Sequence, residues 1–154
     1  MTASLAQHTT FTIERDYSAT PALTFSAWSS AEAKARWFFG PPGQWTLIKR
    51  KMDFRVGGME HASGSFKDGP VSSFDARYYD IVPNERIIYA YDMHLDDKLI
   101  SVSIATIQFT SGKKGTRLIF TEQATFVNGY DDAGSRERGT NGLLDQLGAA
   151  LEQK

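Results

Sequence analysis

The sequence predicts an α+β domain in which a curved antiparallel sheet of about six or seven strands wraps around a long C-terminal helix, with two short helices after the first strand. Apolar and polar residues alternate with a period of two through the middle of the chain, and turns rich in Gly, Asp and Pro separate these stretches. The last segment returns to a helical period. Consecutive strands with short connections form an antiparallel meander, and one helix against its concave face would bury both apolar surfaces.

Length, charge and residue types limit the classes of protein that fit. The chain has 154 residues, and we expect a single domain over 1–154 in which 1–8 form a loose N-terminal tail. Its 17 basic and 18 acidic side chains give a formal net charge of −1, so a general attraction for nucleic acid is missing. No apolar run approaches the ~20 residues of a membrane span. The N-terminus lacks the features of a signal peptide and there is no cysteine, so we expect a cytoplasmic protein without disulfides.

One strand and two short helices are predicted near the N-terminus. Residues 11–17 alternate apolar with polar side chains, which predicts a half-buried strand. Thr20 and Pro21 are typical of an N-cap and of the first position of a helix. Ser30 is the predicted cap of a second helix over 31–38, which the sequence Gly-Pro-Pro-Gly then ends.

The remaining strands follow in close succession and lead to the final helix. They are predicted over 45–56, 59–66, 71–82, 85–93, 99–110 and 116–126. Asp131 or Asp132 could cap the final helix, and one of its faces carries an apolar stripe. The stripe consists of Thr140, Leu143, Leu144, Leu147, Ala150 and Leu151. Because several glycines weaken this helix intrinsically, it needs tertiary packing to be stable.

Several stretches, in the same order along the chain, resemble a known family. Residues 36–41 (RWFFGP) are similar to its Trp-Trp-Gly-Pro element, and 53–58 (DFRVGG) are similar to its Asp-x-Arg-x-Gly-Gly signature. Residues 74–89 resemble its strand, proline turn and strand, while 115–118 and 139–151 match the end of its pattern. The chain thereby resembles the AHSA-type proteins, named after the activator of the heat-shock protein 90 ATPase, within the START-like (SRPBCC) superfamily that includes the birch pollen allergen.

The resemblance implies a helix-grip fold with an internal cavity, and it leaves the activity open. Members of the superfamily include carriers of lipids and hormones, cyclases and co-chaperones. This sequence departs from the pattern at Phe38, where the family often has a second Trp, and at Asn141 and Gly142, where many members have a bulky Trp. The second departure affects how much of the cavity the last helix fills.

The alternation of side chains assigns an inward face to each strand, and this face together with the last helix would form a pocket. Ten Phe, six Tyr and three Trp residues are a high aromatic content with which to line it. We expect ligand-binding positions at Trp37, Phe39, His61, Phe74, Tyr78, Tyr89, Tyr91, Ile107, Phe120, Glu122, Leu143 and Leu147.

Three kinds of side chain in this set have alternative roles. Tyr78, Tyr89 and Tyr91 could present rings and hydroxyls to a ligand, or pack as core with their hydroxyls at the rim. Glu122 could act as a general base or bind a ligand hydroxyl, or it could lie exposed or in an ion pair. His61 could donate a proton beside the pocket, or it could be a histidine at the surface or at the rim of the pocket.

Two further pairs have a structural alternative. Trp37 and Phe39 could form a lid over the pocket, or Trp37 could anchor its short helix to the sheet. Asp53 and Arg55 are two residues apart on one strand face, which predicts either a structural ion pair or contacts that brace the Gly-Gly turn at 57–58.

Metal and cofactor motifs are missing from the sequence. His8, His61 and His94 are far apart in sequence and lack metal-ligand spacing, and no cysteine could assist them. There is no nucleophile elbow, dinucleotide fingerprint or Walker loop. We therefore expect no metal and no cofactor.

The sequence is compatible with three functions. The first is binding of a hydrophobic or aromatic small molecule in the cavity. The second is a co-chaperone-like interaction with the heat-shock protein 90 ATPase, which the family resemblance implies. The third is a cyclase, dehydratase or hydrolase activity in the same cavity, for which the sequence brings no two catalytic groups together. We expect a monomer or a homodimer, with an exposed edge strand available for pairing.

Overall fold

The computed structural model describes residues 5–130 and 133–152. The strands in this part of the chain are β1 (Gln7–Tyr17), β2 (Trp45–Met52), β3 (Met59–Phe66), β4 (Val71–Val82), β5 (Arg86–Leu95), β6 (Lys98–Ser111) and β7 (Thr116–Phe126). The helices are α1 (Pro21–Ser26), α2 (Ala31–Lys34) and α3 (Ala133–Glu152). The described strands form one antiparallel sheet in the order β1-β7-β6-β5-β4-β3-β2, which curves around α3. This confirms the predicted helix-grip fold.

The strand bounds follow the alternation of side chains closely, and β3, β4 and β7 begin and end where predicted. β2 ends at Met52, earlier than predicted, because a turn occupies 53–58. Gly57 has a φ of +84°, which favours glycine, and Arg55 donates from Nε to Oδ2 of Asp53 over 2.8 Å. The Gly58 amide donates to the carbonyl of Arg55 over 2.8 Å. The predicted ion pair therefore exists and lies within this turn.

Both short helices begin at their predicted caps. The Oγ1 of Thr20 accepts from the amide of Leu23 over 3.2 Å, and Oγ of Ser30 accepts from the amide of Ala33 over 3.1 Å. α2 is shorter than predicted because the chain turns inward after Lys34. There Trp37 packs against Trp28 with ring centroids 4.6 Å apart.

The ends of the chain differ from expectation in one respect. β1 begins at Gln7 because residues 7–10 pair with β7, so part of the predicted tail is strand. Asp131 and Asp132, the predicted caps of α3, lie outside the described residues. None of the helices in the described part of the chain is long and apolar enough to cross a bilayer.

The core lies between the concave face of the sheet and α3. The innermost side chains come from four elements, and they include Ile87, Ile107, Leu118, Leu144 and Leu147. α3 lies against β1, where the hydroxyl of Tyr17 donates to the carbonyl of Leu144 over 2.7 Å. A Cβ added at Gly148 would lie 3.0 Å from the Tyr17 ring, so this glycine permits the close approach of helix and strand.

Candidate functional site

A pocket of about 530 Å³ opens between the concave face of the sheet, the loop at 38–42 and α3. Its volume lies within the roughly 300–1,000 Å³ that is usual for small-molecule sites. The loop is held against the helix by Gln146, whose Nε2 donates to the carbonyl of Trp37 over 2.7 Å and to that of Phe39 over 3.1 Å. The position of the loop is therefore coupled to that of α3.

Most of the residues expected at the pocket do line it. They are Trp37, Phe39, Phe74, Tyr89, Tyr91, Phe120, Glu122 and Leu143. Trp37 is also an anchor, because it is almost fully buried and its Nε1 donates to the carbonyl of Ala27 over 2.8 Å. Only the loop residue Phe39 of the pair suggested as a lid is partly exposed.

Three inward-facing residues of the expected set lie in the solid core and do not line the pocket. Ile107 and Leu147 are completely buried, since apolar neighbours from the sheet and α3 cover them. Tyr78 is also buried, and its hydroxyl donates to Oε1 of Glu60. The alternation of side chains assigns a face correctly, but it does not distinguish a packed position from one that borders a void.

The expectation that His61 lies near the pocket is wrong. In β3 its neighbours Glu60 and Ala62 are buried, so His61 points to the outer face of the sheet. There its Nδ1 lies 2.7 Å from Oδ1 of Asp75 in β4. A proton donor at this position cannot reach a molecule in the pocket.

One end of the pocket carries a buried polar network. The Tyr91 hydroxyl donates to Oε2 of Glu122 over 2.7 Å, and Nη1 of Arg136 donates to the same oxygen over 3.1 Å. Nη1 also donates to the Tyr91 hydroxyl over 3.0 Å, while Nη2 donates to Oγ of Ser101 over 2.7 Å. Glu122 is only 1% exposed and is therefore ion-paired rather than solvated.

The network raises two pKa values. Burial raises the pKa of Tyr91 above its usual value, and the nearby Glu122 carboxylate adds to this. Burial alone would lower the pKa of Arg136, but Tyr91 and Glu122 offset that effect and raise it. Arg136 is thus a permanent cation, and the Tyr91 hydroxyl is protonated and able to donate a hydrogen bond.

A second buried ion pair lies behind the aromatic wall. Nζ of Lys34 donates to both carboxylate oxygens of Glu60, over 2.9 and 3.1 Å, and each side chain is 1% exposed. Nζ also lies 4.3 Å from the centroid of Phe38, a residue that lines the pocket. Burial lowers the pKa of Lys34, and Glu60 opposes this shift. The pair supports the wall from behind and does not contact the pocket.

Sequence reasoning missed Arg136, Phe38 of the loop, Trp45 at the start of β2, and much of the helix surface that borders the pocket. A signal for Arg136 was present, because it lies four residues before Thr140 and so continues the apolar stripe of α3 toward its N-terminus. A charged residue in line with a buried stripe indicates a buried charge or a polar ligand contact.

Two glycines of α3 leave space where other residues would project side chains. A Cβ added at Gly139 or Gly142 would meet nothing within 4 Å, and both residues border the pocket. The sequence departure at Gly142 therefore coincides with open volume rather than with a close approach of two backbones.

Comparison with known proteins gave a family and several similar structures. A model of the family described as "Activator of Hsp90 ATPase homolog 1-like protein" matches residues 18–152. An uncharacterized protein from Rhizobium leguminosarum is 45% identical, with a TM-score of 0.91 over 97% of this chain and 98% of its own. Mll3558 from Rhizobium loti is 39% identical, with a TM-score of 0.87 over 96% and 99%.

A more distant likeness supports the fold alone. The AHSA1 protein from Silicibacter pomeroyi is 18% identical, with a TM-score of 0.72 over 93% of this chain and 97% of its own. A search of curated proteins gave no match to the chain.

Proposed function

The chain belongs to the family of Activator of Hsp90 ATPase homolog 1-like proteins, and we propose that it binds a hydrophobic or aromatic small molecule in the pocket beneath α3. The observation that carries this proposal is the contrast between the aromatic wall of the pocket and the buried polar network at one of its ends. Phe38, Phe74 and Tyr89 contribute to the wall, while Arg136 and Glu122 form the polar end. Sites of this composition bind by apolar contact and orient the ligand through a few polar groups.

The aromatic wall supplies the affinity in this proposal. A ligand that buries roughly 300 Å² of apolar surface gains roughly 7 kcal/mol before the costs of association. Two of the rings that line the pocket, Phe74 and Tyr91, also pack on each other, with centroids 4.8 Å apart and planes tilted by 39°. Flat ligands suit such a wall, because they can stack or pack edge to face against it.

The polar end supplies the orientation. The guanidinium of Arg136 can donate to a ligand oxygen, and Glu122 can accept from a ligand hydroxyl. The proposed ligand is therefore an aromatic or polycyclic molecule with a hydroxyl or carboxyl group at one end.

The test is ligand-detected NMR with a panel of fatty acids, phenols and aromatic acids, using two matched variants. Gly142→Leu adds a side chain where the pocket is open, and Ala149→Leu adds a similar one on an exposed part of the same helix. We expect panel members that bind the native protein to lose binding in Gly142→Leu and to keep it in Ala149→Leu. Equal binding by both variants would mean that the ligand does not bind in the pocket. No binding of any panel member by the native protein would contradict the proposed function.

A chaperone interaction is the second candidate, and several exposed apolar side chains favour it. Leu47 and Ile48 of the edge strand β2, Val56 of the turn at 53–58 and Met59 at the start of β3 are each about half exposed. Under this proposal the protein raises the ATPase rate of an Hsp90-type chaperone, and Ile48→Asp removes the effect. An unchanged rate at high micromolar protein would contradict it.

The remaining expectations stay predictions. The cyclase, dehydratase or hydrolase alternative predicts that a member of the same ligand panel is converted to product. A cytoplasmic location, and a monomeric or homodimeric state, are tested by fractionation of the host cell and by sedimentation.

A further inference from the structure

A separate cluster of polar side chains lies on the outer face of the sheet, away from the pocket. His61 of β3 is paired across the strands with Asp75 of β4, and Asp75 is paired with Asp92 of β5. His94 lies two residues beyond Asp92 in β5 and therefore on the same face. Because the residues on both sides of Asp75 in β4 are buried, the cluster faces outward.

The potential metal-binding atoms of this cluster are close together. Single ligand atoms of Asp75, Asp92 and His94 all lie within 4.8 Å of one another. Nδ1 of His94 is 3.4 Å from Oδ1 of Asp92. A tetrahedral ion with ligands at about 2.1 Å holds them about 3.4 Å apart, so small side-chain rotations would complete the site.

The charges of the cluster favour a cation. Asp75 and Asp92 are directly opposite on neighbouring strands, an arrangement in which like charges repel. Within the described residues, the ion-pair contacts of these two carboxylates are with His61 and His94, which are cations only when protonated. The nearby Arg77 of β4 lies over the ring of Tyr79 at 5.5 Å. A bound divalent ion would neutralise the charge of both carboxylates.

We propose that Asp75, Asp92 and His94 bind one divalent transition-metal ion, with Zn²⁺ as the first choice. One imidazole and two carboxylates are ligands that Zn²⁺ accepts, and three protein ligands leave a fourth position for water. The same set is poor for Ca²⁺, which takes six to eight oxygen ligands. This proposal is independent of the pocket, because none of the three residues borders it.

His61 orients the site in this proposal. Its Nδ1 lies 2.7 Å from Oδ1 of Asp75, and since a carboxylate only accepts, the nitrogen donates. A hydrogen bond of this kind holds a metal-binding carboxylate in one rotamer. His61 is therefore a positioning residue rather than a ligand.

The cluster is accessible and rigidly supported. The side chains of its four members are between 31% and 43% exposed, so an ion can enter from solvent. They come from adjacent strands of a continuous ladder, which positions ligands more exactly than loops do.

The experiment is a titration of the full chain with Zn²⁺ by calorimetry, repeated with Co²⁺ to record the visible absorption of a bound ion. We expect one saturable site in the native protein. His94→Ala and Asp92→Asn should each remove it. His61→Ala should weaken it by about 10–100-fold, and His61→Gln, which keeps an N–H donor, should recover part of the loss.

His8→Ala is the matched control. His8 is another exposed histidine, in β1, where its Nδ1 contacts Oγ1 of Thr125 at 3.2 Å. We expect this variant to bind Zn²⁺ as the native protein does. The proposal is overturned if the native protein has no saturable site, if binding persists in both His94→Ala and Asp92→Asn, or if His8→Ala loses as much as His94→Ala. Circular dichroism of each variant establishes that it is folded.

Discussion

Arg136 in α3 and Glu122 in β7 form an ion pair that joins the helix to the sheet at the polar end of the pocket, with Nη1 3.1 Å from Oε2. Glu122 is almost fully buried and Arg136 is 13% exposed. Both charges have lost most of their hydration, so each depends on the other for compensation. The pair therefore has two roles: it fixes the start of α3 and it presents charge to the pocket.

The first prediction concerns the loss of one partner of this pair. Arg136→Met should lower the free energy of unfolding by about 3–5 kcal/mol, because Glu122 is left as an uncompensated buried charge. The double variant Arg136→Met with Glu122→Gln should recover most of this loss, since the charge has also gone. Urea denaturation at neutral pH measures both. Additive losses in the double variant would mean that the two side chains are not coupled.

The second prediction compares a buried pair with an exposed one. Lys34→Met should cost about 3–5 kcal/mol because Glu60 then lacks its cation in a completely buried site. Arg55→Ala breaks the Asp53–Arg55 pair, whose side chains are 54% and 70% exposed, and should cost less than about 1 kcal/mol. The same denaturation assay compares them. Similar losses of unfolding free energy in the two variants would contradict the prediction that burial makes an ion pair costly to break.

The third prediction concerns the glycines of α3. Gly142→Ala should raise the free energy of unfolding by about 1 kcal/mol, because alanine favours the helix and its methyl group meets open space. Gly148→Ala should gain less, since its methyl group would lie 3.0 Å from the Tyr17 ring, which the hydrogen bond to Leu144 holds in place. Thermal unfolding ranks the two variants. An equal gain at both positions would contradict the tight packing of α3 against β1.

The fourth prediction concerns stability at alkaline pH. Burial raises the pKa values of Tyr17, Tyr78, Tyr89 and Tyr91, so the folded protein keeps protons that the unfolded chain releases above about pH 10. The stabilising effect of these protons is complete below pH 10 and is lost as the pH rises further. By pH 11 the loss is about 1.4 kcal/mol for each tyrosine.

Lys34 opposes this trend, because burial lowers its pKa and the folded protein releases that proton first. One lysine does not balance four tyrosines, so we expect the urea midpoint to fall between pH 10 and 11. The ultraviolet absorbance of phenolate should rise as the protein unfolds. A constant midpoint, or ionisation of these tyrosines before unfolding, would contradict the prediction.

Much of the fold was predictable because the spacing of apolar residues, which distinguishes strands from helices, is a local property of the sequence. The alternation in 71–82 and 116–126 predicted both the bounds and the inward faces of β4 and β7. The caps Thr20 and Ser30 are equally local, since each accepts from an amide three residues away. β2 was predicted too long because the turn at 53–58 keeps the alternation while Gly57 changes the direction of the backbone.

The candidate site was predictable only in part. The alternation of side chains along β4 and β5 places Tyr78, Tyr89 and Tyr91 on the inner face of the sheet. Whether each of them borders open space depends on which other residues cover it. The Tyr78 hydroxyl donates to Glu60, which lies 18 residues away in sequence, and Glu60 in turn pairs with Lys34, which lies 44 residues from Tyr78. No local pattern relates these three residues. Arg136 and Glu122 are 14 residues apart and lie in different elements, so their contact depends on how α3 packs against the sheet.

By itself, the sequence determined the order of elements, the caps, the inward faces of most strands and the family, since all of these depend on neighbours within a few residues or on an ordered set of motifs. Only the tertiary structure decided where the interior is hollow, which charges are buried in pairs, and that His61 and His94 meet two aspartates on the outer face. Those features depend on contacts between residues distant in the chain, and their energies come from desolvation and packing, which a linear pattern does not encode.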